Sequence, residues 1–276
     1  MKNANYFFLV IVLFLTSCTN SEVKNKTVVE SVPMRDTVAA YLNIDLSDIL
    51  GKKEAVDISI AYDQYFKKSK KFLGYELKPL LDSIIKVKQL DTTGLSLVFE
   101  CIDGYKPVMA LSKAFGKNRG YIVFKDKEAK DNRNWADSLT RKFSPYYLVW
   151  ENVDSADHSF PWPYGLTKIQ MVPTADEYQK IYPFKDPSVM KGFTLFKDNC
   201  NKCHAVNRVG GVMGPEFNIP KSITEYWQEE DIVRFAQNPK SYRISSQMPP
   251  LGSTVKQEEL TEIVHYLKYM AKNKIN

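Results

Sequence analysis

Cys200-Asn201-Lys202-Cys203-His204 (CNKCH) is the stretch that decides how the second half of this chain reads. Two thiols stand one helical turn apart, and an imidazole follows the second directly. Zinc, a redox disulfide and a covalently held porphyrin all use such patterns. Zinc takes four N or S ligands. Apart from Cys18, taken up below, only His158, His265 and Cys101 remain to supply one, and none sits in a second paired motif. A thioredoxin-type pair follows a strand in a βαβ unit, whereas the residues before Cys200 have helical spacing. C-x-x-C-H is the attachment signature of c-type haem. Each thiol can add to one vinyl group on the porphyrin edge, and His204 is then carried under the ring, where neutral imidazole binds iron. Cys200 and Cys203 are the expected thioether positions, His204 the expected proximal ligand, and one covalent haem c the expected cofactor.

The flanking sequence supports a helical unit over residues 184–276. Asp186 followed by Pro187 reads as an N-cap with proline at the first helical position. Val189, Phe193 and Phe196 then recur at helical spacing towards Cys200. At the far end, Leu260, Ile263, Leu267 and Met270 make one apolar face. A unit of this size needs a staple, and a covalent cofactor supplies one. For the second axial ligand, Met248 in SSQMPPLGS is favoured, because two prolines stiffen its loop. Met213 is too close to His204 in sequence to circle to the other face, and His265 lies off the apolar face of its helix. GGVMGPEF (210–217) offers the Pro215 carbonyl as acceptor for the other N–H of His204, the usual way a ligating imidazole is oriented. Trp227, Tyr242 and Arg243 are candidates for the haem propionates.

Residues 190–271 resemble a class I cytochrome c. The likeness rests on KGFTLFKDNCNKCH, the Gly-Pro at 214–215, NPKSYRISSQMPP and the terminal EIVHYL. It implies a fold whose first and last helices cross, with Gly192 and Phe193 meeting Tyr266. It also implies thioethers at Cys200 and Cys203, axial ligands His204 and Met248, and a bond from His204 to the Pro215 carbonyl.

The chain opens with a targeting signal. Lys2 precedes an apolar run, Tyr6–Leu15, too short to span a bilayer. Leu15-Thr16-Ser17-Cys18 resembles the lipobox of bacterial lipoproteins, which implies cleavage after residue 17 and lipidation of Cys18. Two or three acyl chains anchor stably where one does not. Residues 18–39 form a polar, aperiodic tether. The expected location is the periplasmic side of a bacterial membrane, and Thr19 after the cysteine leans towards the outer one.

Residues 40–183 read as an α+β, mainly-β domain. LSLVFECI (95–102), GYIVF (120–124), YYLVW (146–150) and LTKIQMV (166–172) are short, β-rich and bounded by turn residues. Leu77, Leu80, Leu81 and Ile84 share a helical face, and Asp103-Gly104 is a turn signal. FKKSKKFLGYELKPLLDSI, LSLVFECIDGYKPVMAL and FPWPYGLTKIQMV together resemble the molybdopterin-binding domain of the sulfite-oxidase type. In metal-binding members a cysteine near the position of Cys101 ligates molybdenum, which implies an alternative: a molybdenum oxidoreductase with the haem as its electron relay. Against molybdopterin stand the short matched segment, the lack of assignable pterin-phosphate residues beyond Lys113, Lys117 and Arg119, and a signal without twin arginine. Molybdopterin enzymes are exported folded and need one. Cys101 is then a strand cysteine, and the domain a docking module.

The fold class is therefore multidomain, a mainly-β unit followed by an all-α one. A net charge of +6 with scattered lysines gives no basic stripe, so nucleic acid is not an expected partner. Redox proteins are, with the membrane reached through the lipid anchor. The reading favours a single-electron carrier over an enzyme.

Overall fold

The computed structural model describes residues 42–130, 133–154 and 157–275. The signal, Cys18 and the expected tether lie outside the described residues. The first half is built on strands: β1 (Leu42–Asp45), β2 (Val56–Asp63), β3 (Lys68–Glu76), β4 (Leu95–Cys101), β5 (Val108–Ala110), β6 (Arg119–Asp126), β7 (Tyr146–Glu151) and β8 (Tyr164–Pro173). They form an antiparallel sheet in the order β2-β3-β6-β7-β8-β4-β5, with β1 pairing β8. Short helices connect them: α1 (Leu46–Leu50), α2 (Leu77–Lys88), α3 (Leu111–Ala114), α4 (Asp137–Phe143) and α5 (Thr174–Tyr178).

Alternation along the strands feeds two cores, because successive side chains leave a strand on opposite faces. Ile122, Leu148 and Trp150 join Leu77, Leu80 and Leu81 of α2 in one core. Tyr121, Val123, Tyr147 and Val149 pack with Phe72, Trp135 and Phe143 in the other. Sequence periodicity places β4, β6, β7, β8 and α2 where the structure has them. It misses the β2–β3 hairpin, whose strand KSKKFLGYE hides an inward lysine. Lys70, with a side chain only 4% exposed, sits 2.7 Å from Asp126 and 2.8 Å from Glu128.

The second half is helical: a 3-10 turn at Pro187–Val189, α6 (Met190–Asn199), a 3-10 turn at Ile223–Glu225, α7 (Glu229–Gln237), α8 (Pro239–Tyr242) and α9 (Gln257–Ala271). Asp186 caps the first turn by accepting from the Ser188 amide. Helices α6 and α9 cross where Gly192 meets α9. A Cβ at Gly192 would run into the Glu262 carbonyl and the Tyr266 side chain, so only glycine lets the two backbones approach. Phe193 and Phe196 pack against Tyr266 in tilted geometry, at 5.6 and 5.5 Å between ring centroids. Fully burying an aromatic such as Phe196 is worth about 1.5–3 kcal/mol.

This helical core also recruits Tyr178, Ile181 and Tyr182, ahead of residue 184. The cause is polar as well as apolar: the Tyr266 hydroxyl donates to the Ile181 carbonyl at 2.8 Å. The described residues of both halves belong to one compact unit. Among them, no helix is long and apolar enough to cross a membrane.

Candidate functional site

The CNKCH stretch begins where α6 ends. The amides of Cys203 and His204 both donate to the Cys200 carbonyl, at 3.0 and 2.9 Å, which closes the turn that brings the thiols together. Neither cysteine is in a disulfide. Burial pushes the Cys200 thiol up to about 12 and raises that of Cys203, with the nearby Lys202 ammonium opposing both shifts. Both are thus neutral thiols at pH 7. Among the described residues no three His, Cys, Asp or Glu side chains converge as a metal cage.

After His204 the chain folds back over the motif. The Gly211 and Gly214 amides donate to the Asn201 and Cys203 carbonyls at 2.8 Å each, and Phe217 N–H donates to the Ala205 carbonyl. This return brings the Pro215 carbonyl 2.9 Å from His204 Nδ1. A carbonyl can only accept, so Nδ1 carries the proton and Nε2 keeps its lone pair. The imidazole is buried, 7% exposed, and stacked on Phe217 at 4.2 Å. Burial lowers its pKa and the Pro215 bond opposes this, which favours the neutral ring a metal needs. Gly214 is obligatory here, since a Cβ would enter the His204 ring.

The loop is pinned by polar groups that sequence reasoning missed. Glu216 accepts from the amides of Asn207, Arg208 and Asn218. Asn207, fully buried, donates to the carbonyls of Lys180 and Asn273. Asn218 donates to Asn207 Oδ1 at 2.7 Å and to the Met270 carbonyl at 2.8 Å, joining the loop to the end of α9. Asparagines in a loop carry an ordinary turn signal, and nothing local marks them as buried.

His204 opens on a cavity of about 1180 Å³, above the roughly 300–1,000 Å³ of ordinary ligand pockets. Cys200, Cys203 and Met248 share its wall with apolar side chains of α7 and α9. A porphyrin needs this combination: two thiols at one edge, an imidazole with a free Nε2, a thioether and an apolar chamber. The residues therefore fit a haem. Trp227 and Arg243 also line the cavity, while Tyr242 stands behind, stacked on Trp227 at 6.3 Å with its hydroxyl on Asp231. Met213 reaches the wall too. His265 is exposed, its Nε2 3.3 Å from Glu229.

Cys101, by contrast, ends β4 on the sheet and is 9% exposed. Burial raises its thiol pKa well above the usual range, with Asp103 and Glu100 adding to the shift. The candidate pterin-phosphate residues are engaged or turned to solvent. Lys113 donates to Ser159, Arg119 pairs with Glu151 at 2.8 Å, and Lys117 is exposed. The turn after Cys101 contacts the CNKCH stretch itself, a placement with no local sequence signal.

Comparison with known proteins agrees with this geometry. Residues 187–267 match the family model described as cytochrome c oxidase, cbb3-type, subunit III. The chain is 31% identical over 105 residues to cytochrome c of Kluyveromyces lactis, an alignment covering 31% of this chain and 93% of that protein. It is 28% identical over 105 residues to cytochrome c of Theileria annulata, covering 32% and 89% respectively. A mainly-β N-terminal region thus precedes a helical cytochrome c domain, which implies covalent haem c, electron transfer and redox partners. Through that C-terminal domain, the chain belongs to the cytochrome c family.

Proposed function

We propose that this protein is a lipid-anchored monohaem c-type cytochrome that passes single electrons between redox proteins on the periplasmic side of a bacterial membrane, the outer membrane being favoured. In this reading Cys200 and Cys203 carry the thioethers, and His204 and Met248 are the axial ligands. The observation that carries it is the His204 imidazole, held on the Pro215 carbonyl with Nε2 free, at a cavity shared with both thiols and Met248. Bound there, haem supplies a one-electron couple whose potential a Met/His ligand pair raises.

The chain's own contribution is to hold that couple rigid and dry. The Pro215 bond fixes the His204 tautomer, and the Phe217 ring fixes its plane. The α6–α9 crossing and the Asn207–Asn218 network hold the loop that carries both. Prolines 249 and 250 limit the motion of Met248. In this reading the front domain serves as a docking module without a cofactor, with Lys113 already on Ser159 and Arg119 on Glu151.

Spectroelectrochemical titration of the full chain tests the function. A reversible one-electron couple with six-coordinate spectra in both states supports the reading. A couple that appears only with a second metal present counts against it. For the anchor, Cys18→Ala should release the protein from membranes into the soluble fraction, and retention of the variant on membranes would remove the lipoprotein reading.

A further inference from the structure

The turn joining β4 to β5, residues 102–107, is committed on two sides. On the sheet side, the Cys101 amide donates to the Tyr105 carbonyl at 3.2 Å, and Phe99 N–H to the Pro107 carbonyl at 3.0 Å. Asp103 Oδ1 accepts from the Tyr105 amide at 3.0 Å, which fixes the bend. On the haem-domain side, the Lys106 amide donates to the carbonyl of Lys202, between the two thiols, at 2.8 Å. The Gly104 carbonyl accepts from Val212 N–H at 2.9 Å. Gly104 has φ +84, and a Cβ there would strike Val212 and Met213, so the turn lies flush on the loop that follows the motif. Tyr105 packs on the sheet core and lies beside both Cys101 and Cys203. It also lines the cavity that His204 opens on.

We propose that this turn is a built-in cap, with the Tyr105 ring closing the Cys203 end of the haem chamber to water. The inference rests on the assignment of Cys200 and Cys203 as haem attachment points. A haem gains a positive charge on oxidation, and a site shielded from water stabilises that charge less well. Burial is one of the levers a protein has on haem potential. A closed cap therefore raises the potential, and an open one lowers it. The front domain, on this view, tunes the couple besides docking partners.

The test compares Tyr105→Ala and Tyr105→Phe with the unaltered full-length holoprotein. A pyridine haemochrome spectrum first establishes covalent haem in each; its absence from the unaltered protein overturns the attachment assignment and the cap with it. With haem in place, Tyr105→Ala should move the redox equilibrium about tenfold towards the oxidised form, or about 59 mV lower for one electron. Tyr105→Phe, which keeps the ring, should stay within about threefold of the unaltered protein. An alanine variant within twofold overturns the cap, and a phenylalanine variant that falls with alanine overturns the ring as its closing element. Should Tyr105→Ala fail to fold, amide hydrogen exchange in the unaltered holoprotein decides. Protection of Lys106 and Val212 amides matching that of the Gly211 and Gly214 amides supports a closed cap, and free exchange at the first pair overturns it.

Discussion

Asn218→Ala removes the amide that ties the loop behind His204 to the end of α9. The side chain is 1% exposed and gives one N–H to Asn207 Oδ1 and the other to the Met270 carbonyl. Its loss removes two hydrogen bonds, worth about 0.5–1.5 kcal/mol each, because the Met270 carbonyl keeps the Asn273 amide at 2.9 Å and Asn207 Oδ1 keeps the Ile275 amide at 3.5 Å. One contribution runs the other way. Asn218 Oδ1 is itself buried without a partner, and its deletion offsets part of that loss. The net destabilisation should then be about 0.5–2 kcal/mol, set against a typical total of about 5–15. Guanidinium unfolding of the holoprotein, followed by the Soret band and by tryptophan fluorescence, reads it as a lower midpoint at unchanged slope. Asn218→Asp should cost more, since it removes both donors and turns a carboxylate towards two acceptors. An alanine variant as stable as the unaltered protein, or more stable than it, would refute the claim that this network holds the loop.

Lys70→Met should destabilise the sheet by about 3–5 kcal/mol, because Asp126 stays buried without its cation; adding Asp126→Leu should recover most of that in the same denaturation assay. Met248→Ala should open an axial position, so that its reduced form binds carbon monoxide rapidly where the unaltered protein does not; rapid binding by both would remove Met248 from the ligand set. Cys101, with its thiol raised by burial, should resist iodoacetamide at pH 8 and react only on unfolding, as mass spectrometry of the alkylated protein can show.

The helical domain was legible because covalent chemistry leaves short, fixed spacings. CNKCH is such a spacing, whereas the Gly192 crossing is implied by the resemblance to class I cytochromes c; the structure has Gly192 against Tyr266 and the Pro215 carbonyl 2.9 Å from His204 Nδ1. Strands β6 and β7 were legible because both faces are buried, leaving near-continuous apolar runs. The β2–β3 hairpin was hidden for the opposite reason. Lys70 is read as a surface residue until Asp126, far away in sequence, is known to meet it. The contact of Gly104 and Lys106 with Val212 and Lys202 joins segments about a hundred residues apart, and no periodicity encodes such a meeting. The Asn207–Asn218 network escaped similarly: its residues look like turn formers, and only the end of α9 makes them structural.

The metal content of protein purified from its native membrane tests the central claim most directly. A single-electron carrier built on CNKCH should hold one iron per chain, retained through acid–acetone extraction as covalent haem, and no molybdenum. Molybdenum near one per iron would contradict it, making Cys101 the metal ligand and the cytochrome domain its electron relay.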